Sequence, residues 1–179
     1  ITKKPDVTSV DYGFDLEYGS IEDGSNDQSL EAYINMPLGA NTAVRVSAYD
    51  LQDGGWIDNE LSTKTFTNSG YTIDNSSFAE DDYNELNKSG YRIRLASEIM
   101  GQNLDLSMLD QTSEFGGSWE TDEAVGPRSN SRFNEEYFDD DFSQISLSLS
   151  GDLNDNVEYI FTASSFDRDV EYTYDYSEY

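Results

Sequence analysis

Residues 29–59 read SLEAYINMPLGANTAVRVSAYDLQDGGWIDN, and their pattern decides the fold. Leu30, Ala32, Ile34, Met36 and Leu38 alternate with Glu31, Tyr33 and Asn35. A period of two puts apolar side chains on one face of a strand and polar ones on the other. Gly39, Ala40 and Asn41 supply turn chemistry, and the alternation resumes with Val44, Val46 and Ala48 against Arg45, Ser47 and Tyr49. Two short alternating runs about a tight turn predict an antiparallel hairpin.

The same signature recurs on both sides. Upstream, Val10, Tyr12, Phe14, Leu16 and Tyr18 oppose Asp11, Gly13, Asp15, Glu17 and Gly19. Downstream, Tyr91, Ile93, Leu95 and Ile99 oppose Arg92, Arg94, Ala96 and Glu98; Leu104, Leu106 and Met108 oppose Asp105 and Ser107; Ile145, Leu147 and Leu149 alternate with serines. A last run places Val157, Tyr159, Phe161 and Ala163 together and continues through Tyr172, Tyr174 and Tyr176. Seven strands are predicted. Their connections alternate in length: Gly/Asn/Asp turns at 39–41, 101–103 and 151–156, longer segments at 21–28, 53–89 and 113–141. Connections longer than about 15 residues are usually functional where they occur in compact domains.

The formal charge is −27, from ten basic and thirty-seven acidic residues, which excludes nucleic acid as a partner and opposes anionic surfaces. Neither cysteine nor histidine is present, so disulfides, thiolate or imidazole metal sites and any His-dependent triad are excluded. Thirteen tyrosines and nine phenylalanines are too many rings for a disordered acidic chain. No apolar run is long enough for a transmembrane helix. A mean hydropathy of −0.70 does not exclude a membrane barrel, however, because only every second residue of a short spanning strand must be apolar. A rim of tight turns, a rim of long polar loops and a charged rather than loosely polar second face fit an antiparallel up-and-down transmembrane β-barrel. A soluble β-sandwich accounts for the alternation but not for the segregation of loop lengths. Seven strands do not close an even-numbered barrel, so more strands are expected from elsewhere.

Ile1-Thr2-Lys3-Lys4-Pro5 resembles the step from the last plug strand into the barrel of TonB-dependent outer-membrane receptors. Residues 29–59 are similar to the second and third barrel strands of that family: an apolar strand ending in Pro-Leu, a tight turn, an Arg-bearing strand, then Gly-Trp-Ile-Asp-Asn into a long loop. The resemblance implies residues 1–5 as the end of the plug and 6–179 as the N-terminal part of a barrel of about 22 strands. It further implies a location in the bacterial outer membrane, lipid around the barrel, and uptake of a scarce small ligand such as a ferric siderophore with energy delivered through TonB. The plug body and the TonB-contacting box are not in this sequence. Carbohydrate or cobalamin import, a passive porin and a soluble or surface β-rich adhesin remain open alternatives.

On this basis Arg45, Arg92, Arg94 and Glu98 are expected to face the lumen or plug. Trp56, Tyr71, Tyr83, Trp119, Phe133 and Tyr137 are expected in the extracellular loops as ligand-contacting rings, with Phe66, Phe78 and Phe115 nearby. Tyr12, Tyr18, Tyr91, Tyr159, Tyr172, Tyr174 and Tyr176 are candidates for the aromatic girdles. Asp81-Asp82, Glu135-Glu136 and Asp139-Asp140-Asp141 offer only hard oxygen ligands, suited to Ca2+, but without EF-hand spacing no cofactor is assigned. No catalytic constellation is evident, and the chain is not expected to be an enzyme.

Overall fold

The computed structural model describes residues 3–177, and every regular element among them is a β-strand. Ile1 and Thr2, the start of the plug-like step, lie outside the described residues. Seven strands form one antiparallel sheet: β1 (Asp11–Ser20), β2 (Asn26–Pro37), β3 (Thr42–Asp53), β7 (Leu86–Ile99), β8 (Gln102–Phe115), β10 (Tyr137–Asn154) and β11 (Val157–Thr173). They pair in that order, a simple meander with β1 and β11 as open edges. Four short strands lie in the long connections: β4 (Asp58–Asn59), β5 (Thr63–Thr65), β6 (Thr72–Asp74) and β9 (Ser129–Asn130).

Segments 38–41, 100–101 and 155–156 make the tight turns along one rim, and 21–25, 54–85 and 116–136 lie along the other. At 100–101 both turn residues have positive φ, Met100 at 54° and Gly101 at 75°. That is the twist a two-residue hairpin needs, and glycine adopts it without strain.

The register puts the alternating apolar runs of the seven strands on one face. Tyr12, Ile34, Val46, Ile93, Met108 and Ile145 share a row, and Met36, Val44, Leu95, Leu106, Leu147 and Ala163 the next. Nothing covers this face: Tyr12, Phe14, Leu16 and Tyr18 are each at least two-thirds exposed. The buried apolar residues among those described are only Ala43, Ile57, Tyr83 and Phe133, and three of these sit in the long connections. The sheet therefore has no apolar core of its own.

Three sequence expectations are corrected. The strands outrun their apolar stretches, β8 beginning at Gln102 and ending at Phe115, and β10 extending from Tyr137 to Asn154. Asp139, Asp140 and Asp141 are accordingly strand residues, with Asp140 paired to Arg168 of β11 at 2.7 Å. Tyr172 lies in register with Phe138, on the polar face, and does not share the face of Tyr159 and Phe161, because it is an odd number of positions along the strand from each.

Candidate functional site

The polar face holds two hollows, of about 520 and 790 Å3, both lined by Arg92 and Arg94. Every cation on a strand of the main sheet, Arg45, Lys88, Arg92, Arg94 and Arg168, has the parity of this face. Arg45 and Arg94 are direct cross-strand partners, a repulsive placement that neighbouring carboxylates offset. Arg94 makes a forked pair with Asp105, 2.8 and 2.7 Å. Arg45 stacks 3.9 Å over the Tyr33 ring, which itself lies across Gly13, and approaches Asp11 at 3.9 Å. Arg92 and Glu98 have no ion pair among the described residues. The expected lumen residues thus share one face, and the structure brings Arg45, Arg92 and Arg94 together.

Lys3 and Lys4 border the same hollows. The segment that carries them is tied down by Asn35, 1% exposed, which accepts the Asp6 amide at 2.9 Å and donates to the carbonyls of Asp6 and Ser9. Higher on this face the Tyr49 hydroxyl reaches over Gly90 to Gln111 at 2.7 Å. A Cβ at position 90 would come within 2.9 Å of that hydroxyl and 2.7 Å of a backbone oxygen.

At the other rim, segments 54–85 and 116–136 fold into one cap. β4 and β9 pair in parallel, and Asn59 bridges to Glu80. Its core is polar. Asn75, fully buried, donates to the carbonyls of Glu60 and Arg132 at 2.8 and 3.0 Å and accepts the Ser62 amide at 2.6 Å. Asn59 accepts the Arg132 amide and donates to Phe78. Asn84 accepts the amides of Trp56 and Ile57, both at 2.8 Å. Loop backbone cannot be buried unsatisfied, and in these connections asparagine amides substitute for the missing ladders.

Arg132 and Glu136, both about 5% exposed, form a buried ion pair at 3.6 Å, and Glu120 adds a second carboxylate at 3.0 Å. Tyr83 is buried beside them, its hydroxyl 2.6 Å from the Asn130 amide. Burial pushes that phenol above its ordinary range, against the hydrogen bonds from Ser118 and Asn130. Asp175, just past β11, accepts the amides of Phe133, Asn134 and Ser177. Burial pushes its carboxyl up, but hydrogen bonds from Ser177, Phe133 and Asn134 outweigh it and hold the group below the usual carboxylate range.

Beside this cap an aromatic strip runs along the polar face: Trp119 to Phe115 (6.1 Å between centroids), Phe115 to Phe138 (5.8 Å), Phe138 to Tyr172 (6.2 Å), Tyr172 to Tyr174 (5.6 Å). Part of it lines a hollow of about 370 Å3, with Tyr137, Glu120 and Glu136 on its walls.

Of the ring residues expected to meet ligand, Trp119 and Tyr137 line this hollow, Trp119 64% exposed and Tyr137 donating to Glu171 at 2.9 Å. Tyr83 and Phe133 are buried in the cap's own packing. Tyr71 is exposed, following the turn that links β5 to β6, and Trp56 is half-buried where β3 leaves the sheet; neither joins the strip. Phe138 and Tyr172 belong to the strip and were not expected there. Strand parity carried past the apolar stretch would have found both. Among the described residues no cluster of acidic side chains has the geometry of a metal site. No protein-family model, curated protein or solved structure matches the chain.

Proposed function

We propose that the chain forms part of a transmembrane β-barrel of the bacterial outer membrane, of the TonB-dependent receptor kind, with its apolar face against lipid, its arginine-bearing face toward the lumen and the cap outside the cell. The observation that carries this reading is the course of the apolar band. In β1 the band spans Tyr12 to Tyr18, in β11 Val157 to Ala163. Asp15, the middle of the first run, is in register through Glu31, Tyr49, Gly90, Gln111 and Phe142 with Arg168, eight residues beyond Ile160, the middle of the last. The displacement accumulates over six strand-to-strand steps. At roughly 3.3 Å per residue and roughly 4.8 Å per strand, the band crosses the register rows at about 40°. A level hydrophobic belt therefore requires strands tilted by about 40°, inside the 35–45° range of membrane barrels. A soluble barrel shares such a tilt but turns its apolar face inward.

Energetics support the same assignment. Each large apolar side chain left in water forgoes roughly 1.5–3 kcal/mol of burial, and this face carries more than a dozen of them. Hydrocarbon is the solvent that recovers it. The open edges at β1 and β11 require partner strands, because unpaired backbone groups are not tolerated in lipid. TonB coupling and import of a small ligand rest on the resemblance of residues 1–5 and 29–59 to that family.

These 179 residues contain no cysteine, so once any cysteine elsewhere in the full-length protein is replaced the test is direct. Single cysteines placed at Ile93 and Leu147 on the apolar face, at Ser146 on the polar face and at Tyr71 in the cap are challenged in intact outer membranes. Ile93→Cys and Leu147→Cys should resist a charged maleimide and respond to a lipid-borne quencher, while Tyr71→Cys labels from outside. Equal, fast aqueous labelling at all four positions sinks the membrane reading and leaves the adhesin. Membrane insertion with uptake that persists after the proton gradient is collapsed favours a passive channel.

A further inference from the structure

We infer that the aromatic hollow at the cap, bounded by Phe115, Trp119, Phe138 and Tyr174, is a binding subsite for a ligand that presents a flat apolar ring face and carries no negative charge. The inference rests on the receptor reading, since it places the hollow at the outer mouth of the lumen. Its volume, about 370 Å3, is within the usual range of small-molecule sites. Five rings follow one another at 5.6–6.2 Å. Trp119 and Tyr174 remain 64% and 46% exposed although the neighbouring cap buries Tyr83 and Phe133 almost completely. Each of these two rings contacts a neighbouring ring, Phe115 or Tyr172, and keeps exposed surface beside a well-packed loop assembly on which a further ring face can stack.

Charge sets the class of ligand. The charged groups on the wall are Glu120 and Glu136 alone, and Arg132 pairs with both, at 3.0 and 3.6 Å. One guanidinium against two carboxylates leaves about one negative charge on the wall, chiefly on the exposed Glu120, which a neutral or cationic ring tolerates. Anions are opposed by the field of a chain with net charge −27. What remains is stacking, which serves equally the C–H face of a sugar and the face of a planar aromatic. The Ser118 backbone and hydroxyl, with Glu120, stand where such a ligand's hydroxyls would need partners.

The test uses the full-length protein in detergent, and the signal at this site is the part of the fluorescence change that Trp119→Phe removes. Maltohexaose and 2-naphthol serve as uncharged probes from the two ligand sources, 2-naphthalenesulfonate and 2-naphthyltrimethylammonium as charged counterparts. Saturable quenching by either uncharged probe is expected, with affinity falling about three- to tenfold in Phe138→Ala and again in Tyr174→Ala. 2-Naphthalenesulfonate should bind at least tenfold more weakly than 2-naphthol, and 2-naphthyltrimethylammonium at least as tightly as 2-naphthol. No saturation by either uncharged probe, a preference for the sulfonate, rejection of the ammonium, or indifference to both substitutions overturns the inference. Tyr174 lies outside the strands, so its variant remains informative if Phe138→Ala assembles poorly. Failure of binding in a protein that still passes the cysteine test removes the subsite alone; a failed cysteine test removes the receptor reading whatever the fluorescence does.

Discussion

Asn75 shows how much one residue can hold in a loop assembly whose apolar filling is limited to Ile57, Tyr83 and Phe133 among the described residues. Its amide joins three segments, through Ser62, Glu60 and Arg132, with no solvent access. Asn75→Ala leaves two carbonyls and an amide without that partner, at about 1–3 kcal/mol for each group that water cannot reach. The cap, not the sheet, should loosen. Limited proteolysis between residues 54 and 85 is expected to accelerate at least tenfold while the strands stay protected; an unchanged rate would place the cap's stability elsewhere. Asp175 makes a pH-dependent case. Its folded pKa lies below its unfolded one, so its stabilisation is complete above the ordinary carboxylate value of about 3.9 and is lost as pH falls through the lower, folded value. Hydrogen exchange at the Phe133 and Ser177 amides, corrected for intrinsic rates, should therefore quicken below about pH 4, and Asp175→Asn should remove that step. At this scale the sequence was half legible. Asparagine in a polar connection signals a turn, and only the folded cap shows Asn59, Asn75 and Asn84 as buried acceptors of distant amides.

Elements were legible where their two faces meet different solvents. Alternation marked β1 to β3 nearly to their ends, because apolar residues occupy one face for most of their length. In β8, β10 and β11 the pattern stops partway. Beyond Met108, Ile145 and Ala163 the formerly apolar face carries Asp110, Thr112, Asp141, Asp167 and Asp169. With both faces wet, periodicity vanishes although the ladder continues, and the acidic run at 139–141 passed for a loop. The same logic gives a paired substitution test. Ile93 and Ser146 are on adjacent parts of the sheet but on opposite faces. Ile93→Lys places a charge in the belt at a cost of about 2–4 kcal/mol near the bilayer midplane, and should impair folding into lipid vesicles, read as the heat-modifiable band on SDS gels. Ser146→Lys, beside the hollow of Arg92 and Arg94, should fold at nearly wild-type yield. Equal yields from the two variants would contradict the assignment of faces.

Across the whole molecule the charges are sorted, not merely unbalanced. All cations on strands of the main sheet face the polar side, while beyond the apolar band the opposite side of β8, β10 and β11 is acidic: Asp110, Glu114, Asp139, Asp141, Asp167, Asp169 and Glu171. Those carboxylates have no cation on their own side of the main sheet and repel one another and the rest of a −27 chain. Salt acts on both populations with opposite signs. It screens the repulsion among these carboxylates, of which Glu114, Asp141, Asp167, Asp169 and Glu171 are exposed, and it weakens ion pairs such as Arg94 to Asp105, which is less than a quarter exposed and so less accessible to screening. Repulsion should dominate the response. Raising NaCl from 10 to 150 mM shortens the screening length from about 30 to about 8 Å, and thermal stability of the detergent-solubilised protein should rise, together with amide protection in the upper halves of β10 and β11. A stability that falls over this interval would mean that the inward arginine pairs outweigh the outward acidic rows, and the charge sorting would then contribute to stability on both faces.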